Sequence, residues 1–197
     1  MDPKLLAQRA SFSKMSEGTA EDYVITRAHA MKHFTGHVDR VVAHLSLLKD
    51  ISLGYAISRY EHCLQAATRA QRDGRDDEYV VCALLHDVGD SLGCLNHADI
   101  ATAVLEPWIS EDRLWMVKHH AIFQGRYFFH HYGLDRDMRD QFKDHPMYGA
   151  TAEFCALYDE NCFDKDYEAE PIEHFLPTLR KVFSRPLRSI YLPKPAS

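Results

Sequence analysis

The chain has no apolar run of the roughly 18–20 residues that a membrane-spanning helix requires. It has no Cys-x-x-Cys pair either, and its five cysteines are an odd number, which speaks against a disulfide framework and for reduced thiols. A basic stripe is also missing. With a formal charge of −6, binding driven by neutralising phosphates is not expected, so neither nucleic acid nor membrane figures among the expected partners. The segment Met1 to Ala30 lacks the apolar core of a secretory signal, which makes a cytoplasmic location the expectation. Strand-type alternation, internal repeats and low-complexity tracts are absent as well.

What is present is helical periodicity. Two weaker stretches, about Glu21 to Lys32 and His37 to Lys49, precede a capping box at Ser58-Arg59-Tyr60-Glu61 that opens a helix through about Gln71. Asp76 is placed to cap a helix carrying Tyr79, Val80, Cys82, Ala83 and Leu84 and ending near Gly89. Asn96 is expected to cap the next, through Leu105. Ser110-Glu111-Asp112 begins another toward His120, followed by the aromatic stretch Phe123 to Tyr132 and a break at Gly133. Pro146 suits the first turn of a helix reaching Tyr158, and Glu170-Pro171 starts an amphipathic one with Phe175, Leu176, Leu179 and Phe183 on one side. An all-α fold in one domain follows.

Thirteen histidines are unusual in 197 residues and raise the prior for a metal site without locating it. His29, His33, His37, His44, His145 and His174 read as surface or satisfied core positions, and the His130-His131 pair stays open. Six residues stand apart by their surroundings. His62 lies among small residues (Cys63, Ala66, Ala67) that let a neighbouring helix approach. His86-Asp87 ends an apolar helix. His97 lies in a first turn, His120 at a helix end, and Asp159 after the apolar face of Phe154, Leu157 and Tyr158. Nitrogen and oxygen ligands delivered from packed helices suit two adjacent ions, with Asp87 or Asp159 as the bridge.

His62, His86-Asp87 and Asp159 resemble the H…HD…D signature of the HD-domain superfamily, an all-helical metal-dependent fold, and His97 and His120 resemble the subset with six ligands and two metals. The likeness covers about Gly54 to Asp164. It places the single ligand histidine of the His119-His120 pair at His120, and the last carboxylate at Asp159, with Asp164 as fallback. It implies a helical HD-domain bundle over 51–184, an N-terminal helical extension over 1–50 packed on it, and a Pro-rich tail over 185–197.

Two chemistries share that scaffold: phosphohydrolases and mixed-valent di-iron oxygenases of the myo-inositol oxygenase and 2-amino-1-hydroxyethylphosphonate dioxygenase type. Many hydrolytic relatives read His-Asp-x-Gly-Lys, whose lysine meets a phosphate, whereas this chain has Asp90 there. The stretches Gly54 to Ala67 and Asn96 to Ala101 resemble the phosphonate oxygenases most. The resemblance thus implies an O2-dependent enzyme with two iron ions (Fe2+/Fe3+) acting on a small hydroxylated molecule, with a phosphohydrolase or a catalytically silent ligand-binding HD domain as the other readings.

This chain departs from the aminohydroxyethylphosphonate enzyme at Tyr55, Asp90 and Gln124, where that enzyme has glutamate, histidine and lysine in its substrate pocket. Asp90 with Tyr55, Phe123, Tyr127 and Phe128 would suit a quaternary ammonium, and Arg59 and Arg126 an acidic group. A trimethylammonio-hydroxyethylphosphonate, cleaved to glycine betaine and phosphate, would satisfy both. The family's iron-capping tyrosine has Ser52 at its position, which leaves Tyr23 as the candidate substitute.

Overall fold

The computed structural model describes residues 2–191, so the last six residues of the proline-rich tail lie outside the described residues. Its helices are α1 (Pro3–Leu6), α2 (Ala20–Thr35), α3 (His37–Leu45), α4 (Arg59–Arg72), α5 (Asp77–Leu85), α6 (His97–Leu105), α7 (Glu111–Phe128), α8 (Tyr148–Phe154) and α9 (Ile172–Val182), and no strand occurs among the described residues. The chain divides into two compact units, Met1–Val41 and Val42–Ser197.

In the first unit α2 starts with a capping box that pairs Thr19 with Asp22. The Asp22 carboxylate accepts from the backbone N–H groups of Ser11 (2.8 Å) and Thr19 (3.0 Å), and these bonds hold its pKa below the usual carboxylate value.

In the second unit the Ser58 box forms as the sequence implies. Ser58 Oγ accepts from the Glu61 N–H (3.2 Å) while the Glu61 carboxylate accepts from the Ser58 N–H (2.7 Å). Asp76 Oδ1 likewise accepts from the Tyr79 N–H at 2.8 Å. From Tyr79 to Leu85 every residue of α5 is buried, because α4, α7 and α9 all pack against it. Helices α4, α7 and α9 thus surround one apolar helix whose C-terminal end leads into His86 and Asp87.

Three local readings are corrected. Asn96 does precede α6 but makes no capping bond from its side chain; its φ of −142° and ψ of 30° are not the extended geometry that turns a side chain back onto the first turn. Second, α7 continues through the aromatic stretch to Phe128, so His120 lies inside a helix rather than at its end. No proline interrupts this run, and Gly125 alone weakens it by only about 1 kcal/mol. The break comes at Gly133, which takes a left-handed φ of 71°.

Third, the helix toward Tyr158 begins at Tyr148 and is not regular to its end. From Cys155 to Asp159 it widens into a π turn, closed by the Glu160 N–H donating to the Cys155 carbonyl at 2.9 Å. Such one-turn widenings often mark functional positions, and this one carries Asp159.

Candidate metal centre

Four imidazoles converge from four places in the second unit: His62 on α4, His86 at the end of α5, His97 at the start of α6 and His120 on α7. In each, Nδ1 faces a backbone carbonyl. The partners are Cys162 for His62 (2.9 Å), Ala83 for His86 (2.8 Å), Cys94 for His97 (3.3 Å) and Val117 for His120 (2.6 Å). Only a protonated Nδ1 can use such an acceptor, so each neutral ring turns the lone pair of Nε2 inward.

Those Nε2 atoms meet in two pairs. His62 and His86 bring theirs to 3.1 Å, and His97 and His120 to 3.2 Å. Two lone pairs at that distance repel unless a proton or a metal ion lies between them. Asp87 serves both pairs with different oxygens. Oδ2 lies 3.2 Å from His62 Nε2 and 3.0 Å from His86 Nε2, while Oδ1 lies 3.4 Å from His97 Nε2 and 3.3 Å from His120 Nε2. Asp159 joins the first pair alone, with Oδ1 3.4 Å from His62 and 3.9 Å from His86. Its Oδ2 is buried without a hydrogen-bond partner, an arrangement that a cation would relieve.

Ligand-type atoms within 4.8 Å of one another thus form the groups His62–His86–Asp159 and Asp87–His97–His120, and this buried His/Asp cluster could hold a metal ion. A third group, Cys63–His86–Asp87, adds a residue that the sequence reading took only as a small neighbour of His62. Burial, with the Asp87 charge beside it, pushes the Cys63 thiol far up, so it stays protonated in the metal-free fold.

The cluster is strongly polarised. Burial works against charge on Asp87, yet Arg59 and the ring of His86 hold its carboxyl well below the usual range. Burial likewise opposes the charge on Asp159, and His62 lowers it. For His62 burial pulls the pKa down, but hydrogen bonds to Asp159 and Asp87 outweigh it and lift the imidazole to about 8.

A cavity of about 410 Å³ lies against the second pair. Asp87, His97, His120 and Asp159 line it, together with Tyr55, Arg59, Asp90 and Gln124, four of the residues expected to meet substrate. Apart from Cys94, its other walls are aliphatic or aromatic, with Leu53, Leu95, Phe128, Phe129 and Phe163 among them.

Two of the expected residues make other contacts. Arg126 is not among the lining residues and is ion-paired with Asp137. Tyr23 belongs to the first unit, where its hydroxyl donates to the Met15 carbonyl at 2.6 Å. Arg59 lines the cavity, but its guanidinium is engaged with Asp87 and, at 2.8 Å, with Asp90, so the two are partners of each other and not separate receptors for an acid and an ammonium. The pair was hidden because their separation of 31 residues follows no local periodicity.

The neighbouring alternatives make contacts of their own. His119 turns from the cluster, stacking on Trp115 (3.9 Å between centroids) with Nδ1 toward the Trp115 carbonyl. Asp164 is spent on its own turn, accepting from the Asp166 N–H at 2.9 Å. No protein-family model matches this chain, and no curated protein matches it.

Proposed function

We propose that this chain is an O2-dependent di-iron oxygenase of the HD-domain type, acting on a small hydroxylated molecule. One observation carries the reading: Asp87 divides its two oxygens between two pairs of inward-facing imidazole nitrogens. A carboxylate so placed would be shared by two ions. The donor set, four imidazoles and two carboxylates, suits iron, although manganese and zinc accept it too. Iron in this ligand set would supply the one-electron redox chemistry that use of dioxygen requires.

The chain's own residues divide the remaining work. The carbonyl-bound Nδ1 atoms fix the ring orientations, so the ligands need no rearrangement on loading. His97 and His120 supply only two imidazoles beside the cavity, which would leave room there for a substrate hydroxyl. Tyr55, Phe128, Phe129 and Phe163 keep the space apolar and present aromatic faces to a cationic or apolar part of the molecule.

Asp90, where hydrolytic relatives carry a lysine, supports oxidation over phosphate-ester hydrolysis, since its carboxylate would repel a phosphate. With Arg126 on Asp137 and Arg59 on two carboxylates, the acidic half of a hydroxyphosphonate zwitterion has lost the partners expected for it. The proposed substrate class therefore stops at a small alcohol.

Anaerobic purification followed by metal quantification and electron paramagnetic resonance tests the reading. Two irons per chain and a mixed-valent signal on partial oxidation are expected. A mononuclear site, or turnover of phosphate esters with manganese or magnesium and no dioxygen uptake, would overturn it in favour of a phosphohydrolase.

A further inference from the structure

Asp87, Asp90 and Asp159 place three nearly inaccessible carboxylates around one centre, with side-chain exposures of 1%, 4% and 3%. Buried carboxylates need a cation or hydrogen-bond donors to stay charged. Neutral rings bonded to carbonyls through Nδ1 offer Asp87 and Asp159 none. His62 gains a donor on Nε2 only when protonated, and it must release that proton to ligate a metal. Among the residues lining the cavity, the only permanent cation is Arg59.

Its mounting is rigid. Arg59 is the first residue of α4, directly after the Ser58 cap, and its own N–H donates to the Ile51 carbonyl at 2.7 Å. The guanidinium lies 5.9 Å from the Tyr55 ring centroid and 5.8 Å from that of Phe163. Nη2 donates to Asp87 Oδ2, the same oxygen that faces His62 and His86, and Nε donates to Asp90 Oδ2 at 2.8 Å. The other Asp90 oxygen lies 3.4 Å from His97 Nδ1. One fork thus reaches both ligand groups: the first through Asp87, the second through Asp90 and His97.

We infer that Arg59 is a built-in counter-ion, a positioning residue that keeps Asp87 and, through Asp90, His97 in ligand geometry before any metal ion binds. The inference rests on the reading of Asp87 as the shared ligand. Its consequence is that the metal-free protein remains folded around a preformed site. A second consequence is competition: a cation arriving between His62 and His86 shares Asp87 Oδ2 with a guanidinium, which weakens its hold there. Removing Arg59 should therefore harm the metal-free protein most and the loaded protein least.

Thermal unfolding of the whole chain, chelated and then saturated with Mn2+, tests this. Arg59→Met keeps the side-chain volume and removes the charge. The chelated variant is expected to melt roughly 10 °C below wild type, as breaking a buried pair implies for a chain of this size. Under Mn2+ the gap should shrink to less than half. Replacing Asp87 by Asn in the Arg59→Met background should then recover at least half of the chelated loss, because the more deeply buried of the two stranded charges is gone.

An equal loss with and without Mn2+, or no recovery in the double variant, would overturn the inference by showing packing alone, and no loss in the chelated variant would overturn it by showing that the fold does not need Arg59. If Arg59→Met does not fold, solubility of the double variant decides in the same sense. Should wild type take up neither Mn2+ nor Fe2+, the metal reading fails, while the chelated comparison of the single and double variants still decides the role of Arg59.

Discussion

The two ligand groups that share Asp87 differ in how solvent reaches them. His62 and His86 are fully buried and Asp159 is 2% exposed, so besides the shared Asp87 the first group meets the cavity only through Asp159. In the second, the His97 side chain is 19% exposed and the cavity lies directly against it. The first group can also draw on three ligands besides Asp87, the second on two. A closed and better-furnished site holds its occupant, whereas an open and poorer one leaves room for exchange and for substrate. The difference teaches that one carboxylate can face two groups of unequal access, which under the proposed reading would separate retention of an ion from exchange.

Ligand removal gives the largest way to break that comparison. Under the proposed two-ion reading, His62→Ala should lose the inner ion, weaken the outer one through the unanchored Asp87, and drop the metal content from two per chain toward none. His97→Ala should lose only the outer ion and retain one per chain, with turnover abolished in both. Metal quantification after desalting distinguishes the pair, and equal losses would erase the asymmetry.

Acidity sharpens it. The His62 pKa is raised in the metal-free fold to about 8, above the ~6.5 of a free imidazole, so its protonation stabilises that fold fully below about 6.5. That contribution fades as pH rises through about 8. A metal ion needs the unprotonated ring, so affinity at the inner position should fall ~tenfold per unit as pH drops below 8, with one proton taken up on release. Asp87 and Asp159, whose pKa values are lowered, contribute stability above the unfolded carboxylate range near 4 that disappears only at more acidic pH. Metal titrations between pH 6 and 9 read the first effect without interference from the second.

A smaller effect comes from Gly89. A methyl group there would collide with the His97 carbonyl and the Ile100 side chain, so the turn after Asp87 can approach α6 only with glycine. Gly89→Ala should displace His97 and weaken the outer ion about tenfold while the inner ion stays in place. Loss of both ions together would show that α6 also braces the first group.

The features legible in the sequence were those with local causes. The Ser58–Glu61 box and the Asp76 cap were readable because each is closed within three residues. Of the six converging side chains, His86 and Asp87 were readable from the end of an apolar helix, whereas the choice of His120, inside α7, and of Asp159 over their neighbours came from the resemblance. The capping box at Thr19–Asp22 carried the same kind of signal and went unread, in a helix whose weak apolar face hid its start.

What was not legible depended on long separations or on angle. Whether Asp87 or Asp159 would bridge is set by which carboxylate presents its two oxygens to different neighbours, a matter of tertiary packing. Arg59 and Arg126 looked alike as cations near aromatics. One turned inward to two carboxylates and the other outward to Asp137, and no spacing rule separates these outcomes.

The widened turn from Cys155 to Asp159 is a place where one residue can be taken out without disturbing the rest. A π turn accommodates one residue more than a regular turn, so removing one from it would let it relax into α-helix while the flanking residues keep nearly the same faces. The Cys155 carbonyl would return to an ordinary partner four residues on, and the local widening beside the Asp159 carboxylate would be lost. A single-codon deletion would thus leave a bundle that folds as before but lacks that widening beside its His/Asp cluster.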